Sequence, residues 1–138
     1  MSVTCHMRMI VLAAACCVLI AGEVSAQSLN LKVPLDGPSI YGAYCAACHG
    51  ADGKGHGPAG ESLKNKATDL TAIAKNNKGV FPRTMIEEVL QNGNKWKGHA
   101  SKEMPTWGPV FRAVDGDEKI AYAHIYNLVT YVESIQVK

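Results

Sequence analysis

Apolar residues recur at three- and four-residue steps through Ile120, Ala121, Ile125, Leu128, Val129, Val132 and Ile135, which predicts a long amphipathic helix near the C-terminus. Asp115-Gly116-Asp117 opens it, and Tyr122, Tyr126 and Tyr131 line the margin of its apolar face. Upstream, Met85, Ile86, Val89 and Leu90 share one side of a helix predicted over residues 83–91, introduced by Phe81-Pro82 and ended by Asn92-Gly93. A short helix is predicted over residues 70–75, with Thr68 or Asp69 as its cap and Asn76-Asn77-Lys78-Gly79 as its stop. Asp36-Gly37-Pro38-Ser39 supplies a cap and an early proline for a helix over residues 38–48 that carries Ile40, Tyr41 and Tyr44. Two stretches break the periodicity. Residues 50–60 are glycine-rich and predict a wrapping loop, and residues 94–109 read as a polar, irregular loop with two tryptophans and two prolines. With no convincing strand and no internal repeat, the fold class is small all-α.

The N-terminus follows another pattern. Arg8 gives a short positive region, residues 9–21 form an apolar run, and Val24-Ser25-Ala26 resembles a small-residue cleavage site before Gln27. This predicts a secretory signal peptide over residues 1–26 and a mature domain over residues 27–138. The run is short of the roughly 20 apolar residues a membrane span needs. Of the five cysteines, Cys5, Cys16 and Cys17 fall inside the segment expected to be removed. Only Cys45 and Cys48 would remain, too few for a disulfide-stapled scaffold. Lipidation of Cys16 or Cys17 is the rival reading, which would tether the protein to a membrane.

Cys45-Ala46-Ala47-Cys48-His49 carries the candidate chemistry, because C-x-x-C-H is the spacing of covalent c-type haem attachment. On a helix the two thiols lie one turn apart with the imidazole beside them, so they can add to two haem vinyl groups while the histidine reaches the iron. A zinc site would need a second ligand pair, whereas His56, His99 and His124 stand singly. A redox dithiol would need a strand-helix-strand context. The glycines of residues 50–60 follow no strand and do not form a phosphate loop.

The second axial position decides what such a haem does. Met1, Met7 and Met9 leave with the signal peptide and Met85 sits on a helical apolar face, where methionine usually fills space. Met104, followed by Pro105 in a loop, is the candidate distal ligand. His99 is its rival, five residues earlier. His56 is expected at the surface and His124 at a helix contact.

Taken together, Gly37, Tyr41, Cys45 to Gly50, Gly57-Pro58, Met104-Pro105-Thr106-Trp107-Gly108 and Tyr131 to Ile135 resemble the class I, mono-haem cytochrome c family, over residues 36–136. The resemblance implies an all-α fold in which the N- and C-terminal helices cross, with three to five helices around one covalent haem. It implies that Gly37 or a nearby small residue permits the crossing and that Tyr41 packs on the last helix. It implies His49 and Met104 as axial ligands, and Pro58 as the residue whose carbonyl accepts from the proximal histidine. Trp107 and Trp96 are candidates for a haem propionate contact or ring packing, with core packing as the alternative.

The expected function is electron transfer, with a redox protein as donor and another as acceptor, outside the cytoplasm in a periplasm or on an extracytoplasmic face. The haem and its iron are the only expected cofactor, and no catalysis is expected. Rival readings are a ligand sensor or peroxidase-like enzyme in which Met104 is displaced, and a haem-bearing subunit of a dehydrogenase or oxidase complex. The formal net charge of +2 is too small to argue for nucleic acid or an anionic membrane. Lys64, Lys66, Lys75, Lys78, Lys95, Lys97 and Lys102 crowd the middle of the chain, as an ordinary solvated surface or as a patch for an acidic partner.

Overall fold

The computed structural model describes residues 32–93 and 104–137. The expected signal peptide, His99, Trp96, Lys95, Lys97 and Lys102 lie outside the described residues. Helix α1 (Gly37–Tyr44) begins at Asp36, whose side chain accepts from the Ser39 amide at 2.9 Å, with Pro38 in the first turn where no helical hydrogen bond is lost. Cys45 then separates α1 from α2 (Ala46–His49), although the Cys45 amide still donates to Tyr41 and the His49 amide to Cys45, both at 2.9 Å. The helix expected over residues 38–48 is thus present with a local break. A 3-10 turn (Gly60–Ser62) follows, then a second one (Leu70–Ala72) running into α3 (Ile73–Asn76).

Helix α4 (Arg83–Asn92) matches its expected span to one residue, and Gly93, in a left-handed conformation with φ 70°, ends it. The longest helix, α6 (Glu118–Ser134), is capped by Asp117, which accepts from Lys119 at 2.7 Å and Ile120 at 3.3 Å.

One helix was hidden in the sequence. Trp107–Asp115 forms α5, where an irregular loop was expected to run to residue 109 and Asp115 to open the last helix. Pro109 sits in its first turn, where a missing N–H costs nothing. Gly116, left-handed at φ 68°, closes α5 and Asp117 starts α6, so Asp115-Gly116-Asp117 is a junction between two helices. The break at Cys45 and the presence of α5 bring the α-helices to six among the described residues, against the three to five expected, and no strand is seen there.

Helix α6 is the common partner of α1, α4 and α5. Ile125, Leu128, Val129 and Val132 of α6 are buried with Ile40 and Tyr41 of α1, Leu90 of α4 and Phe111 of α5. Each such aliphatic side chain contributes about 1.5–3 kcal/mol on burial. The crossing of α1 and α6 requires Gly37: a Cβ there would run into the Asn127 carbonyl and stand 2.7 Å from the Tyr131 Cβ. One turn on, the Tyr41 and Tyr131 rings meet with centroids 5.2 Å apart, as expected of Tyr41. Arg83 ties α4 to α6 by pairing with Glu133, and its guanidinium lies 5.3 Å over the Tyr126 ring. No described helix is long and apolar enough to cross a membrane.

Candidate functional site

A four-residue helix such as α2 leaves its carbonyls without partners of its own. Here the glycine-rich loop supplies them: Gly50 donates to Ala46 (2.9 Å), Ala59 to Ala47 (2.9 Å), Gly57 to Cys48 (3.1 Å) and Gly55 to His49 (2.7 Å). The loop therefore wraps the C-x-x-C-H turn and fixes its backbone. Tyr41 adds a bond from α1, its hydroxyl donating to the Gly50 carbonyl at 2.6 Å. Burial, with smaller contributions from Cys45, Tyr131 and Asp52, pushes that phenol up to about 12, so it stays a donor.

Cys45 is buried against the core, Cys48 and His49 are half-buried, and the two thiols are not paired with each other. Burial, and secondarily the neighbouring Cys48, pushes the Cys45 thiol up to about 12. A redox dithiol needs the opposite, a stabilised thiolate. Among the described residues no group of three or more His, Cys, Asp or Glu is placed to hold a metal ion, as a zinc site would require.

The His49 ring is fixed by the backbone. Its Nδ1 lies 2.9 Å from the Thr68 carbonyl, which can only accept, so Nδ1 carries the proton and Nε2 of the neutral ring holds the lone pair. Pro58 was expected to provide this acceptor. The Thr68 carbonyl stands at Nδ1 in its place, while the Gly57 and Ala59 amides turn residues 57–59 onto the carbonyls of α2 and Pro58 itself is exposed. The segment at residues 67–68 comes close because residue 55 is glycine, with φ 88° and no room for a Cβ beside the Ala67 carbonyl. Leu70 then donates to Gly53 at 2.7 Å, locking the segment to the loop.

Met104 is half-buried and packs against the same core cluster that contains Cys45. Three residues on, the Trp107 ring meets Tyr44, the residue before Cys45, at 5.4 Å, and Phe111 at 5.7 Å. Phe111 also meets Tyr44 at 5.3 Å. Trp107 thus packs on protein rings, and through them the Met104 segment reaches the C-x-x-C-H turn. Met85 is half-buried on α4, and His56 is exposed as expected. His124 is fully buried between α5 and α6, its Nε2 3.0 Å from the Asp115 carboxylate, in keeping with a helix contact.

A family model for cytochrome c matches residues 35–136, which includes both motifs and every described helix. The chain belongs to the cytochrome c family. No curated protein and no solved structure gives a significant match. Membership makes it an electron-transfer haem protein and implies a covalently held haem c with its iron, for which Cys45 and Cys48 stand at the attachment spacing. The fit of this cytochrome to that group rests on its own geometry. The thiols and the imidazole share one rigid turn, the ring presents a lone pair at Nε2, and Ile73, Phe81, Ile86, Met104 and Val110 are half-buried apolar side chains against the core. Of the residues at the site, sequence reasoning missed Thr68 and Phe111.

Proposed function

We propose that this cytochrome c binds one haem, held by thioethers from Cys45 and Cys48 and ligated by His49 and Met104, and shuttles single electrons between redox proteins outside the cytoplasm. One haem follows from one C-x-x-C-H in the sequence, and export from the charged, apolar and small-residue regions of residues 1–26. The observation that carries the axial pair is the 5.4 Å contact of Trp107 with Tyr44, which ties the Met104 segment to the turn bearing His49.

Bound haem supplies a one-electron ferric/ferrous couple. The chain's own residues do the rest. Cys45 and Cys48 would keep the group from dissociating, His49 would donate Nε2 and Met104 a soft thioether that favours the ferrous state. The backbone bonds around α2 and from Nδ1 to Thr68 hold the imidazole in one orientation, so little rearranges when charge changes. A saturated iron has no open position for a substrate, and the protein acts as a carrier.

Absorption spectra and redox titration of the wild type beside Met104→Ala test this. The expected result is one haem per chain, a methionine-to-iron charge-transfer band that disappears in the variant, and a lower potential. An unchanged variant spectrum hands the ligand role to another residue, and rapid carbon monoxide binding by the ferrous wild type at neutral pH rejects a closed carrier.

A further inference from the structure

Helix α6 ends at Ser134, yet the chain beyond it is bound on both sides. The Gln136 side chain uses both ends of its amide. Its Oε1 accepts from the Ala74 N–H at 2.8 Å, and its Nε2 donates to the carbonyls of Leu70 at 2.7 Å and Val132 at 2.8 Å. The next residue, Val137, donates its amide to the Thr71 carbonyl at 2.9 Å. Residues 70–74 are thereby tied to residues 136–137 at three points.

The same segment is tied on its other side. Leu70 donates to Gly53 in the glycine loop, and Asp69 accepts from both the amide (2.8 Å) and the hydroxyl (2.7 Å) of Thr71. Leu70 therefore has its N–H fixed by the loop and its C=O fixed by Gln136. Two residues before it stands the Thr68 carbonyl, 2.9 Å from His49 Nδ1. A carbonyl held in place strengthens the Nδ1–H bond and raises the basicity of Nε2, whereas one free to recede weakens both.

We propose that Gln136 is a positioning residue for the proximal imidazole: by clasping residues 70–74 to α6 it holds the Thr68 carbonyl against His49 and so tunes the iron it ligates. This rests on the reading that His49 ligates the haem iron. The side chain must be an amide, because it has to meet one N–H and two carbonyls at once. Methionine has the length and neither function, and a glutamate carboxylate would keep the bond to Ala74 while facing two carbonyl oxygens with no proton to offer.

The test compares wild-type holoprotein with Gln136→Met, Gln136→Glu and Asp117→Ala. The last removes the α6 cap, whose bonds go to Lys119 and Ile120 of its own helix, and reports what general loss of stability does. Measured are the midpoint potential, the exchange rate of the His49 Nδ1 proton by NMR, and thermal stability. In Gln136→Met, a less basic ligand raises the potential, so that at the wild-type midpoint the ferrous-to-ferric ratio rises about threefold. The Nδ1 proton exchanges roughly tenfold faster. Gln136→Glu likewise speeds the exchange; its added negative charge lowers the potential on its own account, so its exchange rate alone carries the comparison if Gln136→Met does not fold. Asp117→Ala lowers stability and leaves both readouts at their wild-type values. An unchanged exchange rate in both Gln136 variants, an unchanged potential in Gln136→Met, or either readout moved as far by Asp117→Ala, overturns the proposal. A wild type without histidine-ligated low-spin haem is a separate result, which removes the parent reading and this one with it.

Discussion

The two sides of the candidate haem site are held by different forces. Around His49 the chain uses hydrogen bonds: four loop amides on the carbonyls of α2, Tyr41 on Gly50, and Thr68 on the imidazole. Around Met104 the chain packs side chains, with Trp107, Tyr44 and Phe111 in mutual ring contact and Met104 half-buried against the core. Hydrogen bonds fix direction, which a ligand with one lone pair in one plane needs. Apolar packing fixes position but yields more readily, which a thioether on a flexible side chain tolerates. The consequence is an ordered loss: the methionine side should loosen before the histidine side under any general stress.

The largest expected effect breaks the packed side. Phe111 is fully buried and contacts Tyr44, Trp107 and His124. Phe111→Ala should cost about 3–5 kcal/mol in denaturant unfolding of the holoprotein. In the folded variant the methionine charge-transfer band should weaken while histidine ligation persists. Loss of both together would show that the two sides form one cooperative unit and that the contrast is wrong.

The next effect attacks the hydrogen-bonded side. Gly55→Ala puts a Cβ at φ 88° and drives it into the Ala67 carbonyl. The conformational strain alone is worth about 1–3 kcal/mol. Relief requires residues 67–68 to move off the loop, so the His49 Nδ1 proton should exchange faster and the potential should rise, with the methionine band retained. A stability loss with no change at His49 would mean that the strain is absorbed elsewhere.

These two positions also mark what could be read from sequence. Phe111 belongs to a spacing, Trp107, Val110, Phe111, Val114, that is helical, but Pro105 and Pro109 invite a loop reading until Pro109 is placed in a first turn. The long C-terminal helix, the helix before Gly93 and the contact of Gly37 and Tyr41 with α6 were legible, because periodicity, capping residues and a steric need leave marks on residue type. Thr68 was not legible, for every residue has a carbonyl and nothing in a threonine says that its own is used. Gln136 was missed because its partner Ala74 is 62 residues away, and an amide at a helix end ordinarily faces water. The C-x-x-C-H turn that offers His49 was legible; the part of its environment supplied by the main chain was not.

The smallest effect sharpens the comparison by titration. Asp69 accepts two bonds from Thr71, first among the causes that hold its carboxyl below the ordinary value of 3.8. Its folded pKa is thus lower than its unfolded one, so its contribution to stability is complete above pH 4 or so and is lost as pH falls through the folded value. The group is partly exposed, and screening limits the contribution to about half a kcal/mol. Asp69→Asn should therefore be slightly less stable than the wild type at neutral pH, and the two should converge in acid below the folded pKa of Asp69. Because Asp69 steadies the segment that presents Thr68, the variant's His49 Nδ1 proton should exchange faster at neutral pH, and the wild type should approach that rate on acidification. The methionine band should not follow this titration, since no hydrogen bond of the Asp69 turn reaches the Met104 segment among the described residues. If the band tracked the same protonation, the two sides would be coupled through the core, and the division of labour between bonding and packing would fail.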